Sequence, residues 1–317
     1  MYRICFILVC LIVISCKGTS EEKSEANTET YEIIPWTASY QAISKMGDTL
    51  RSATPSESLL RKYQEKKEAF SKNPDNLDDL IWYGRFTAYT GNYREAIAIY
   101  SAGLKQFPNE SRLLRHRGHR YITVRQFNKA IDDLSKAAQL IKGKENMVEE
   151  DGAPNAQNIP VSTMHGNIYY HLGLAHYLNG DMPAALSAYK KCLETSSNPD
   201  NLVSATHWIY MILRRMEQQE AATMSLDRIH PGLTVIENQS YLNACLFYKG
   251  ELQLKDVYDP IAEANASNSA VKYAVGNWYA YNDKMEQAKG IYNTILSGSD
   301  WASFGYIAAE VAMGTMK

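Results

Sequence analysis

Cysteine is scarce: five in 317 residues, three of them within the first sixteen, which excludes a disulfide-built scaffold. An excess of one charge is also missing. The 33 basic and 35 acidic side chains leave a net of −2, without the basic surplus that a general nucleic-acid binder carries. No HExxH, GxSxG or GxxxxGK motif occurs, and no GxGxxG follows a strand, so the usual signatures of zinc hydrolases, serine hydrolases and nucleotide enzymes are absent. His171 and His176 stand five apart and do not share a helix face as metal ligands would. Cys192 and Cys245 have no neighbouring Cys and read as buried small apolar side chains. No cofactor or metal is expected. Phenylalanine is rare at 7 copies, whereas tyrosine reaches 22. With 45% apolar residues the chain can bury a sizeable core, and its length sets a prior of about two domains.

The one marked apolar run, Ile4 to Ile14, follows a single Arg3. It is too short to cross a bilayer, which takes roughly 20 residues, and has the proportions of a signal-peptide core. Val13-Ile14-Ser15-Cys16 resembles the lipobox of bacterial lipoproteins. That resemblance implies cleavage before Cys16, a diacylglycerol thioether on its sulfur and an acylated amine. Residues 1–16 are thus expected to be a lipoprotein signal, the alternative being an ordinary cleaved signal in which Cys16 is coincidental, and 17–30 (KGTSEEKSEANTET) a polar tether. The absence of Asp after the lipidated Cys is compatible with delivery to the bacterial outer membrane or cell surface.

The rest of the chain is repetitive. Gly84 and Gly118 are 34 residues apart, as are Ala96 and Ala130. GNYREA at Gly91, GDMPAA at Gly180 and NDKMEQA at Asn282 are variants of one turn. The period and its small residues resemble the tetratricopeptide repeat, a helix–turn–helix unit. Residues 77–110 match best, with Leu80, Tyr83, Gly84, Ala96, Tyr100, Gly103 and Pro108 in the family's positions. Residues 111–144, 166–199 and 269–302 follow, and two degenerate units are expected between 200 and 268, the first with His207 near the place of a small residue. The implied fold is all-α: a right-handed superhelical solenoid of about five to six helical hairpins. Its expected organisation is a helical N-terminal cap over 31–76, two repeats over 77–144, an insertion at 145–163, one good and two degenerate repeats over 164–268, and a last repeat with a capping helix over 269–317. The capping helix itself is expected over Trp301 to Met313.

Gly118 to Gly173 is 55 residues, 21 more than a period. The surplus lies around Lys144 to Thr163. A stretch of this length is either a disordered surface loop or a lid packed on the repeats, for which Ile159 and Val161 supply apolar contacts.

In the tetratricopeptide family the first helix of each unit lines a partner-binding groove. Carried onto this sequence, the groove takes Arg85, Tyr89, Arg112, Arg115 and His119 at a basic end and Tyr170, Tyr177, Tyr273 and Tyr281 along a tyrosine-rich remainder. The arginines are expected to face solvent and to suit an acidic segment. The alternative is that these are solvated charges and inter-repeat packing tyrosines. The Lys/Asn/Arg carboxylate clamp of chaperone-binding members is not reproduced. The reading is a non-enzymatic scaffold or adaptor, lipid-anchored at a bacterial envelope, with a protein or peptide partner and no nucleic acid. A glycan- or substrate-binding lipoprotein using the tyrosines is the alternative, and a hydrolase hidden in the degenerate centre ranks last.

Overall fold

The computed structural model describes residues 40–150, 152, 154–262 and 265–316. The signal segment, Cys16 and the tether lie outside the described residues. A two-stranded antiparallel hairpin, β1 (Ala42–Ile43) and β2 (Thr49–Leu50), comes first. It replaces part of the helical cap expected over 31–76. The cap helix is α1 (Glu57–Lys72), started by the Ser56 hydroxyl, which accepts from the Leu59 N–H, and stopped at Asn73.

Among the described residues six helical pairs follow. They are α2 (Leu77–Tyr89) with α3 (Tyr93–Gln106), α4 (Ser111–Thr123) with α5 (Phe127–Leu140), and α6 (Met164–Leu178) with α7 (Met182–Glu194). Then come α8 (Pro199–Arg215) with α9 (Gln219–Ser225), α10 (Gln239–Lys249) with α11 (Leu254–Val257), and α12 (Ala266–Ala280) with α13 (Met285–Leu296). A last helix, α14 (Phe304–Thr315), closes the chain. The architecture is an all-α, tetratricopeptide-like solenoid of helical hairpins.

One packing device recurs. A glycine in the first helix faces the large side chain sixteen positions later in the second: Gly84 and Tyr100, Gly118 and Leu134, Gly173 and Tyr189, Gly276 and Tyr292. A methyl group on any of these glycines would stand no more than 2.7 Å from that side chain. The partner alanines Ala96, Ala130, Ala185 and Ala288 are fully buried. Close helix approach at each crossing therefore requires a residue without Cβ on one side and a small one on the other.

The turns repeat as well. Each pair reverses through a residue with left-handed backbone: Gly91, Arg125, Gly180, Glu217, Gly250 and Asp283. Side-chain-bearing residues enter this region at a cost of roughly 1–2 kcal/mol, so Arg125 and Glu217 hold it against their intrinsic preference.

In the first degenerate pair, Tyr210 stands at the crossing position, seven residues before left-handed Glu217 and twelve before buried Ala222. His207, expected near that place, lies one turn earlier, buried beside Trp208, Tyr241 and Tyr248. A tyrosine at the crossing cannot be packed as a glycine is, and α9 runs only 7 residues.

α14 covers the last pair as a cap: Gly305 sits against the Ser269 backbone, and the Tyr306 hydroxyl donates to the Leu296 carbonyl at 3.3 Å. The same segment also reaches the N-terminal part. Glu310, fully buried, pairs with Arg125 at 2.8 Å and accepts the Lys45 N–H at 2.6 Å. Arg125 donates to the Trp301 carbonyl at 2.9 Å, and the Trp301 indole N–H donates to the Arg51 carbonyl at 2.7 Å. The last helix is thereby fastened to the β-hairpin and to the α4–α5 turn.

Candidate functional site

The first helices α2 and α4 carry the expected basic residues and α6 carries Tyr170 and Tyr177, and other described segments cover much of the face that they form. The insertion between α5 and α6 is a lid. It is pinned by an isolated antiparallel bridge between Val148 and Thr163. Glu149, buried, places Oε1 3.1 Å from Arg115 Nη2 and accepts from the Asn167 amide at 2.9 Å through Oε2. Arg85 donates to the Glu150 carbonyl at 2.8 Å and to the Tyr89 hydroxyl at 3.2 Å. Gly152 lies against the Tyr89 ring. Farther along, Asn155 donates to Glu237 and Asn198 donates to the Val161 carbonyl. Polar contacts hold this lid. Ile159, expected to supply an apolar contact, is exposed.

Arg115 is a correction to the sequence reading. Only 8% exposed, it does not form a solvent-facing wall. It bonds Glu149 through Nη2 and the His116 ring through Nη1 at 2.9 Å, while its Nε has no partner. Arg112 is more open but already paired, 2.6 Å from Asp78 and 3.2 Å from Glu110. His119, expected in the open groove, is covered. Its ring lies 4.2 Å from that of His171 and 5.2 Å from Phe304 of α14. Burial first, then nearby Arg120, holds its pKa well below the ordinary imidazole range. Burial likewise depresses His116, with Arg115 next in effect, and His171.

The tyrosines are interior as well. Tyr177 and Tyr273 are buried and share a hydrogen bond between their hydroxyls at 2.5 Å. Arg215 donates to the Tyr177 hydroxyl at 3.0 Å with its guanidinium 5.1 Å from the ring centre. Tyr170 accepts from the Trp208 indole at 2.9 Å and bonds Tyr241 at 3.1 Å. Tyr281 is partly buried, with the Arg214 guanidinium 4.4 Å from its ring centre. Burial pushes the hydroxyl pKa values of Tyr170, Tyr273 and Tyr281 well above normal. These side chains weld neighbouring hairpins together. Among the described residues these tyrosines do not line a continuous sugar groove, and the packing alternative describes them.

One opening of about 250 Å³ lies between residues 161–163, Tyr170 and Phe304, and two more beside the lid are lined by α2 and α4. The larger of these two, a cleft of about 530 Å³, lies between the starts of α2 and α4 and the outer side of the insertion. Trp82, Arg85, Arg112, Met147 and Val148 line it, and Met147 and Val148 are 66% and 59% exposed. Asp78, Glu110, Glu145 and Glu150 also line it, so its charge is mixed rather than basic. The smaller opening, about 170 Å³, lies on the inner side of Glu149 against α4. Among the described residues no group of three or more His, Cys, Asp or Glu is placed to hold a metal ion. Cys192 and Cys245 are buried, and burial pushes the Cys192 thiol up to about 12.

Sequence reasoning missed Glu149, Arg120, Arg125, Glu310 and Phe304. One signal for the first was available: an acidic Glu149-Glu150-Asp151 run follows a first helix bearing Arg112, Arg115, Arg117 and Arg120. The Arg125–Glu310 pair spans 185 positions and has no local signature.

Residues 166–199 match the tetratricopeptide repeat family model. BBSome complex member BBS4 of Mus musculus is 27% identical over 152 residues, covering 47% of this chain and 25% of that protein. Its counterpart in Bos taurus is 26% identical over 141 residues, covering 44% and 23%. The match thus spans about a quarter of these relatives' length. Among solved structures, a tetratricopeptide repeat protein from Parabacteroides merdae aligns with a TM-score of 0.46 at 16% identity, over 82% of this chain and 93% of that one. YrrB, described as a TPR protein with an unusual peptide-binding site, aligns at 0.42 and 15% identity, over 74% and 92%. Both superpositions are too loose to carry residue correspondences.

Proposed function

We propose that this chain is a protein-interaction scaffold, lipid-anchored through Cys16 at a bacterial envelope, that engages a partner segment at the outer cleft beside the insertion. The scaffold part follows from the hairpin array and its tetratricopeptide repeat at 166–199. The location of the partner rests on one observation: Met147 and Val148 are exposed on the rim of the cleft, next to Trp82. Exposed apolar side chains beside an aromatic, rimmed by charges of both signs, form the kind of patch that buries a partner's anchor residue. An acidic partner is not favoured there, because Arg112 and Arg115 already hold Asp78, Glu110 and Glu149. The anchor rests on Val13-Ile14-Ser15-Cys16, and outer-membrane or surface delivery on the residues after it.

Crosslinking in the native membrane, followed by identification of the attached protein, tests the scaffold reading. A discrete partner is expected with the wild-type chain, and Met147→Asp/Val148→Asp should lose it while keeping the helical circular dichroism. Partner capture unchanged by that double variant would move the docking site elsewhere. Cys16→Ser should take up no labelled fatty acid, and normal labelling of that variant would remove the anchor.

A further inference from the structure

The smaller opening contains more positive charge than the chain neutralises. Arg85 from α2 and Arg115 and Arg120 from α4 line it, and Glu149 is the one carboxylate among its lining residues. Glu149 is fully engaged, by Arg115 on one oxygen and Asn167 on the other. Arg85 is outermost, bonded to the Glu150 carbonyl and the Tyr89 hydroxyl. Arg120 makes no ion pair among the described residues. Its guanidinium stands 5.5 Å from the Tyr93 ring centre, and the groups that favour its charge are tyrosines rather than carboxylates. Arg115 adds a buried Nε with no acceptor. Three guanidinium groups face one carboxylate around about 170 Å³, and because Arg85 also faces the carboxylates of the outer cleft, Arg120 is left wholly and Arg85 partly uncompensated. Arg120 and Arg85 are half-buried, and partly desolvated like charges are favoured by an anion that shares the space.

We propose that this chamber is a binding site for a small free oxyanion of the phosphate class. Arg120 is its principal donor, and Arg85 is its outer one. Guanidinium forks match the paired oxygens of such an ion, and a dianion cancels the surplus charge. The imidazoles lining the chamber do not supply the charge: burial keeps His116 and His119 neutral near neutral pH. The insertion favours a free ion over a phosphoryl group carried on a peptide. Glu149 walls the chamber on one side, and Gly152 lies over Tyr89 on another.

The test is calorimetric titration of the full chain with inorganic phosphate against sodium chloride at matched ionic strength, paired with thermal melts. Wild type should bind phosphate and melt at higher temperature in it. Arg120→Met, which preserves length and removes the charge, should weaken phosphate at least about tenfold. Glu149→Gln should tighten it at least about threefold, because the competing carboxylate is gone, and its melt in chloride should be restored by phosphate. If Arg120→Met fails to fold, Arg120→Lys and Glu149→Gln decide the matter, the former weakening and the latter tightening. Phosphate that does no more than chloride would overturn the proposal, as would wild-type affinity in Arg120→Met. A phosphoserine peptide binding as tightly as inorganic phosphate would overturn the assignment to a free ion.

Discussion

Removing the Arg115 side chain leaves the Glu149 carboxylate buried with only Asn167 as a bonded donor and a neutral His116 nearby at 3.8 Å. Breaking a buried pair in this way costs about 3–5 kcal/mol. Arg115→Ala is therefore expected to lower unfolding free energy by that amount in urea titrations, and a loss below about 0.5 kcal/mol would return Arg115 to the solvent. Titration gives a second prediction at this scale. His116, His119, His171 and His207 are all held below the ordinary imidazole range, chiefly by burial, His207 down to about 3. Above pH 6.5 both folded and unfolded states keep these rings neutral. Below it the unfolded chain takes up protons that the folded one refuses, so stability falls with pH. Each such ring contributes a slope of up to about 1.4 kcal/mol per pH unit. Urea midpoints should drop between pH 7.5 and 5.5, and His207→Gln should lessen the slope by about one proton. A flat profile in this window would contradict the burial of these rings. Deeper acid is a poorer test, because burial pushes the carboxyl groups of Glu95 and Asp300 up and they oppose the trend.

At the level of the helical hairpin, the crossing glycine has a definite energetic role. A methyl group on Gly118 would meet Leu134 Cγ at 2.7 Å. Overpacking costs typically 1–3 kcal/mol, offset in part by the better helix propensity of alanine, roughly 1 kcal/mol. Gly118→Ala should still destabilise in a thermal melt, whereas Gly290→Ala, within α13 and with open space around it, should be neutral or stabilising through helix propensity. Equal behaviour of the two would remove the crossing role. This is also the scale at which the sequence was most legible. Glycine at 84, 118, 173 and 276 and alanine at 96, 130, 185 and 288 report local packing, and local packing repeats at a fixed spacing. The left-handed turns at Arg125 and Glu217 were not legible, because nothing in those side chains marks the backbone that they adopt. The β-hairpin at 42–50 escaped for a different reason: two strands of 2 residues are too short to show a period.

Over the whole described molecule, distant segments cover the face expected to receive a partner. Glu149 from the insertion meets Arg115, and Phe304 from α14 meets His119 and His171. The candidate residues were thus found as positions on first helices but mistaken in exposure, since nothing in a 34-residue unit reports what packs on it from outside. The Arg125–Glu310 pair fastens this arrangement. Glu310→Ala should cost about 3–5 kcal/mol, while a paired Arg125→Met/Glu310→Met replacement should be nearly neutral. A strictly additive double-mutant cycle would show that the two ends are not coupled.

The covered face and the open cleft are distinguished most directly by a photoreactive benzoylphenylalanine, placed singly at Met147 or at Phe304 and irradiated in intact cells. The account predicts a discrete higher-mass adduct from position 147 and only intramolecular products from position 304. A partner adduct from position 304, with none from position 147, would contradict it.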